Sequence, residues 1–150
     1  MLHPPVRIED LMKEWSSDSR IDETEPGKEL AKIPSLHAKY LDVLTYHSMV
    51  VKKLNVDFNK MRKLKWEYWH GDLNDPDELK KYGWEPVHEK ILRQDIPIYL
   101  DGDNDLNNIL LKKMAHQEIY DYCQSVLKEL SQRSWQIRSY IEWQKFIAGH

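Results

Sequence analysis

The stretch LHAKYLDVLTYHSMVVKKLNVDFNKMRKLKWEYW, residues 36–69, decides the fold. Its stripe residues fall at Leu36, Tyr40, Val43, Leu44, His47, Val50, Val51, Leu54, Phe58, Met61, Leu64 and Tyr68, and neither Gly nor Pro interrupts them. Steps of three and four trace one face of an α-helix, here close to a heptad repeat. At 1.5 Å per residue such a helix is about 50 Å long. Ser35 is placed to cap its start, and Gly71 supplies the residue type with which helices commonly end.

Upstream, the segment from Val6 to Trp15 carries Ile8, Leu11, Met12 and Trp15 on one face, a short helix. Residues 16–34, SSDSRIDETEPGKELAKIP, are polar and punctuated by Pro26, Gly27 and Pro34, so they read as a loop or a poorly anchored segment. Downstream, residues 72–105 lack a sustained period and are broken by Pro76, Gly83, Pro86, Pro97 and Gly102. Short helical turns are expected near Asp77–Tyr82 and Pro86–Arg93, and Ile96, Ile98 and Leu100 allow at most a short strand.

Asp103 or Asp105 then caps a second long helix, striped by Leu106, Ile109, Leu110, Met114, Tyr120, Cys123, Val126, Leu127 and Leu130 and ending near Gln132. Ser134 can cap a last helix, Trp135 to Ala148. There Trp135, Ile137, Tyr140, Ile141, Trp143 and Phe146 ring the helix almost all round. A terminal helix apolar on most faces must bury them, and another subunit is a natural candidate. The expected fold is mainly α and a single domain. It comprises residues 6–71 with a short and a long helix, an irregular acidic connector at 72–105, a second long helix at 106–133, and a C-terminal oligomerisation helix at 134–149.

Composition agrees. Of 150 residues, 41% are hydrophobic and 31% charged, against about 45–50% and about 25% in an ordinary domain. Long exposed helix faces or an oligomer read this way, and five glycines with seven prolines do not suit a turn-rich β-sandwich. No apolar run approaches the about 20 residues of a membrane span, and the opening MLHPPVRIED has no apolar signal core. A single cysteine, Cys123, excludes an internal disulfide framework and fits a reducing compartment. A soluble intracellular chain is therefore expected.

The net charge of −3 by itself speaks against a nucleic-acid binder, but its distribution does not. Residues 52–71 carry six basic and two acidic groups, whereas residues 72–105 carry ten acidic and four basic ones. Local potential, not total charge, decides whether a phosphate backbone is attracted.

Catalytic and metal-binding patterns fail on inspection. Asp101, Asp103 and Asp105 are spaced like the first ligands of a calcium loop, but Leu106 and Lys112 stand where its glycine and glutamate belong. The histidines (His3, His37, His47, His70, His88, His116 and His150) include no pair three or four apart, and there is no HExxH, CxxC, GxSxG or Gly-rich phosphate loop. A metal-dependent nuclease therefore lacks its ligands, and neither an enzyme, a cofactor nor a metal is expected. Cys123 lies on an apolar stripe and reads as a small inert hydrophobe.

What remains is KMRKLKWEYWH, residues 60–70. On a helix Arg62, Trp66 and Trp69 fall at i, i+4 and i+7, flanked by Lys63 and Lys65, with Lys60 one turn earlier. Cations that track phosphates, beside rings on which bases stack, suit a sequence-tolerant single-strand binder. The competing reading is a solvated basic face, with the aromatics packed on a neighbouring helix, in a non-catalytic coiled-coil structural or adaptor protein.

Three segments also carry a resemblance. Val6-Arg7-Ile8-Glu9-Asp10-Leu11, Lys63-Leu64-Lys65-Trp66-Glu67-Tyr68-Trp69-His70-Gly71 and Ile141-Glu142-Trp143-Gln144-Lys145-Phe146-Ile147-Ala148-Gly149 resemble, in order and spacing, the UvsY recombination mediators of T-even-type bacteriophages. The resemblance covers nearly the whole chain. It implies a protein that binds single-stranded DNA as a ring-like homo-oligomer, a hexamer or heptamer. Such a protein helps a phage RecA-like recombinase replace the single-strand-binding protein, in recombination and repair in the cytoplasm of the infected host cell. The family's DNA-contacting cations fall by motif on Lys63 and Lys65, with Lys60 and Arg62 adjacent. Its assembly determinant falls on the helix carrying Trp135, Ile137, Ile141, Trp143 and Phe146. The chain departs from the family pattern at Lys65, where an arginine is familiar and the planar fork is lost. It also carries inserts near Pro26 and Trp84.

Overall fold

The computed structural model describes residues 7–149, so Val6, His3 and His150 lie outside the described residues. Among those residues the chain forms five α-helices and no strand: α1 (Ile8–Asp18), α2 (Pro26–His70), α3 (Pro76–Tyr82), α4 (Ile96–Asp101) and α5 (Asn104–Ile147). A single 3-10 turn, Arg93–Asp95, precedes α4.

Two boundaries differ from the sequence reading. α2 begins at Pro26 and carries Pro34 in its interior. Proline at the first helical position suits its fixed φ; Pro34, two turns further in, breaks one ladder bond and crowds the Leu30 carbonyl, a local cost that the rest of a 45-residue helix outweighs. The turn before it is set by Asp22, whose Oδ1 accepts from the N–H and hydroxyl of Thr24 at 2.9 and 2.6 Å. Residues 26–34, expected in a loop, are therefore helical, and Ser35 donates its hydroxyl to the Lys32 carbonyl at 2.9 Å rather than capping. Likewise α5 runs unbroken through Ser134, so the separate last helix is its continuation. No Gly or Pro stands between Asp103 and Ala148, and one serine does not outweigh that helical propensity.

Chain contacts divide the molecule into two units: residues up to Met49 together with those from His116 on, and Val50–Ala115. The first unit buries Leu11 of α1, Tyr40 and Val43 of α2, and Ile119, Cys123, Val126 and Leu130 of α5. Those positions step by three and four on each helix, as the stripes predict. Trp15 meets Tyr40 edge to face at 5.4 Å. The Tyr40 hydroxyl donates to Asp18 at 2.8 Å, and Lys39 reaches the same Oδ2 at 2.7 Å. Burial alone would raise the Asp18 pKa, but these hydrogen bonds and the Lys39 charge hold it below the usual carboxylate range. The buried Arg133 donates to the carbonyls of Asp18 and Ser19 at 3.2 and 3.0 Å, closing the end of α1. Burial raises the Cys123 thiol to about 11, so it stays protonated and inert, as its stripe position implies.

In the second unit, Ile96, Leu100 and Leu106 are buried against Phe58, Met61, Trp66, Trp69 and Ile91. Ile96 and Leu100 are one helical turn apart while Ile98 is 70% exposed, a period of four that makes this segment a helix rather than a strand. The expected turn at Asp77–Tyr82 is α3, capped by Asp75 and closed by Gly83 at φ 74°. The one expected at Pro86–Arg93 falls later, in the 3-10 turn and α4, because the apolar anchors lie there.

His47 is fully buried, and its Nδ1 lies 2.8 Å from Nδ1 of His116. Its Nε2 has no partner. An unpaired lone pair is cheaper to bury than an unpaired N–H, so His47 donates and His116 accepts. Burial, then the neighbouring His116 charge, lower the His47 pKa to about 4, from 6.5. The unfolded chain therefore takes up a proton that the folded chain refuses, so this contribution is complete above pH 6.5 and is lost as pH falls toward 4. We expect about 3 kcal/mol to disappear across that window. Thermal melts between pH 7 and 4 should show a falling midpoint that His47→Leu flattens; parallel curves would contradict the assignment.

Candidate functional site

The basic segment closes α2, and the helix end is defined by its backbone. Asp72 and Leu73 N–H groups bond the Glu67 carbonyl at 2.9 and 3.2 Å around Gly71 at φ 92°, a conformation suited to glycine. This fixes which way each side chain of residues 60–70 points.

Lys65 points inward. Its side chain is 5% exposed, and its Nζ lies 3.0 Å from Asp103 Oδ2 and 2.8 Å from Asp105 Oδ2. It also sits 3.9 Å from the centroid of the Trp84 ring. Asp103 is the N-cap anticipated for α5: its Oδ1 accepts from the N–H groups of Asp105 and Leu106 at 3.0 and 3.1 Å. Its Oδ2 accepts from Trp69 Nε1 at 3.1 Å as well as from Lys65. Trp84 Nε1 donates to Asp105 at 2.8 Å. The hydrogen bond from Lys65 is the main cause holding the Asp105 pKa low, supported by the lysine charge and by Trp84. Buried ions persist when every polar valence is met, as here.

Lys65 therefore occupies the interior of the unit, and the half-buried Trp69, bonded to Asp103, lies outside the cleft that the other candidates approach. Arg62 and Lys63 are exposed and form no ion pair among the described residues. Together with Asn59, Trp66, Glu67 and Asp72 they line an open cleft of about 460 Å³. Lys60 is exposed one turn earlier on α2 and lies outside the lining. Trp66 is half-buried; His70 stacks on it at 4.8 Å, and the Arg93 guanidinium lies 5.7 Å from its ring centroid. Chemically the cleft offers cations, a π surface and two carboxylates, and no nucleophile–base pair. No group of three or more potential metal ligands exists among the described residues.

The assembly candidates also split. Trp135, Trp143 and Phe146 are 71%, 58% and 73% exposed, with Trp143 and Phe146 stacked at 5.7 Å. Ile137 is buried inside the chain's own unit, and the half-buried Ile141 borders a pocket with Pro26 and Tyr140. A continuous helix has one inward and one outward face, and the ring of apolar residues divides between them.

Sequence reasoning missed Arg93, Trp84 and the pairing of Asp103 and Asp105 with Lys65. The cap was legible as Asp103 or Asp105. The cation buried against Asp103 lies 38 residues earlier, a separation no local period encodes.

Residues 14–150 match a protein family described as "Recombination, repair and ssDNA binding protein UvsY". Among solved structures, the bacteriophage T4 recombination mediator protein UvsY in lattice type II is 21% identical, with a TM-score of 0.83 over 96% of this chain and 99% of that one. The same T4 protein in lattice type IV is 19% identical, with a TM-score of 0.82 over 94% and 99%. These likenesses show that the fold is shared. No curated protein sequence matches the chain. No helix among the described residues is long and apolar enough to cross a membrane.

The burial of Lys65 generates a contrast between near neighbours. Lys65→Met strands the buried Asp103 carboxylate and should cost about 3 kcal/mol or more. Lys63→Met, on the exposed face, should stay within about 0.5 kcal/mol of the parent. Denaturant midpoints of the two variants compare them directly, and equal values would remove the buried pair from its structural role.

Proposed function

Because the chain belongs to the UvsY family of recombination and repair proteins, we propose that it binds single-stranded DNA through the cleft beside Trp66. As an assembly of several copies, six or seven, it would help a phage RecA-like recombinase displace single-strand-binding protein from the strand. In this reading it acts without catalysis or cofactor, in the cytoplasm of the infected host cell. The observation that carries it is the cleft itself: two exposed cations, Arg62 and Lys63, without an ion pair among the described residues and one turn from a half-buried indole on the same helix.

In this reading Arg62 and Lys63 hold phosphates, Lys60 extends the track along α2, and Trp66, with His70 stacked on it, supplies the aromatic wall of the cleft. Lys65 and Trp69 act through position: tied to Asp103, they fix the helix end that presents the other four. Sequence indifference follows, since phosphates and ring faces are common to every nucleotide. One such site is weak. Repetition of it around an assembly raises the effective concentration of the next site without a new contact type. The apolar ridge of Trp135, Trp143 and Phe146 is the surface we assign to that assembly, with Ile137 and Ile141 supporting it from the opposite face.

The test is fluorescence anisotropy of a labelled oligothymidine across a salt series, with light scattering on the same sample. We expect salt-sensitive binding by a hexamer or heptamer. The Arg62→Ala/Lys63→Ala double variant should weaken it about tenfold or more and lower the salt slope by about 1.4, from about 0.7 per single-strand phosphate. A chain that ignores single strands at low salt would be a structural adaptor instead. Separately, Trp143→Glu/Phe146→Glu should yield smaller species in light scattering while the helical spectrum persists. Unchanged mass would move the assembly surface elsewhere.

A further inference from the structure

We propose that Arg93, contributed by the acidic connector, is a strand-contacting residue of this cleft and the group that makes it attractive to phosphate. The inference rests on the reading of the cleft as a single-strand site, and extends it to a residue far outside the basic segment of α2.

Charge in the cleft is the first argument. Its lining sets Arg62 and Lys63 against Glu67 and Asp72, so the lining alone is neutral. A neutral groove has no electrostatic pull on a polyanion, however basic the flanking sequence. Arg93, whose guanidinium carbon lies 5.7 Å from the Trp66 ring centroid, supplies the excess positive charge. The connector is strongly acidic and contributes Asp72 to the lining, whereas its Asp103 and Asp105 are turned onto Lys65.

Placement is the second argument. Arg93 opens the 3-10 turn Arg93–Asp95, closed by a hydrogen bond from Asp95 N–H to the Leu92 carbonyl at 2.8 Å. The next residue, Ile96, is fully buried, and Leu100 follows it into the core. The backbone beneath Arg93 is therefore anchored while its side chain is exposed. A guanidinium on an indole is held by the ring's quadrupole and still keeps N–H donors directed outward. Beside a nucleotide lying in the cleft, those donors can pair with its phosphate in two-pronged fashion.

The test uses full-length protein and labelled oligothymidine over a salt series. Arg93→Ala should weaken binding about three- to tenfold at about 0.1 M salt and reduce the salt slope by about 0.7, one phosphate's counterion release. Arg93→Lys should keep the slope, and Arg93→Glu should weaken binding beyond Arg93→Ala. Lys128→Ala, on an exposed face of α5, serves as a control and should change neither quantity. If Arg93→Ala binds like the parent while Arg62→Ala/Lys63→Ala binds weakly, this inference falls and the single-strand reading stands. If Arg93→Ala and Arg93→Lys are equally weak with the parent's slope, Arg93 shapes the cleft without touching phosphate, and the inference also falls. If the parent itself does not bind, the single-strand reading fails first and this inference with it.

Discussion

A lysine ammonium taken out of water next to an aspartate sets the terms for the unit that holds the cleft. Lys65 and Asp103 are 5% and 2% exposed, so neither charge has bulk solvent to fall back on. Each is affordable only because the other is present and because every remaining valence is met. Asp103 caps α5 with one oxygen and holds Lys65 and Trp69 with the other. The same carboxylate thus starts one long helix and fixes the end of another. Trp84, through Asp105 and its ring contact with Lys65, ties the connector to that point.

That arrangement explains how a basic helix and an acidic connector coexist without annulling each other. The tightest neutralisation is made by Lys65 with the buried Asp103 and the half-exposed Asp105. Arg62 and Lys63, on the outward face, stay unpaired among the described residues. Helical geometry enforces the separation: Lys63 and Lys65 are two positions apart and lie on well-separated parts of the helix surface. Total charge and charge per segment both miss this, since what reaches solvent depends on which cations are already spent.

Much of the fold was legible in the sequence. The stripe from Leu36 to Tyr68 identified α2, Leu106 to Leu130 identified α5, and Asp103 was one of two residues offered as its cap, because periodicity and capping are local signals. Pro34 misled because a proline inside a helix is a local cost, and packing along a 45-residue helix outweighs it. Ser134 misled because a capping residue permits a helix start without compelling one. At the candidate site, exposed and buried positions could not be told apart: Lys60, Arg62, Lys63 and Lys65 are chemically similar, and the partners that sort them lie in the connector. Trp69 does not line the cleft beside the equally half-buried Trp66 for the same reason, its indole N–H being bonded to Asp103.

Cys123 has a consequence of a different kind. It is the one thiol in the chain, it is fully buried in the core of its unit, and burial keeps it protonated. Only opening of that core exposes it to an alkylating reagent, so the molecule carries an internal clock for its own unfolding. When reclosing is fast, the rate of label uptake reads the fraction of time the helices spend apart. Ligands and subunit contacts that tighten the first unit would register as slower labelling without any engineered probe.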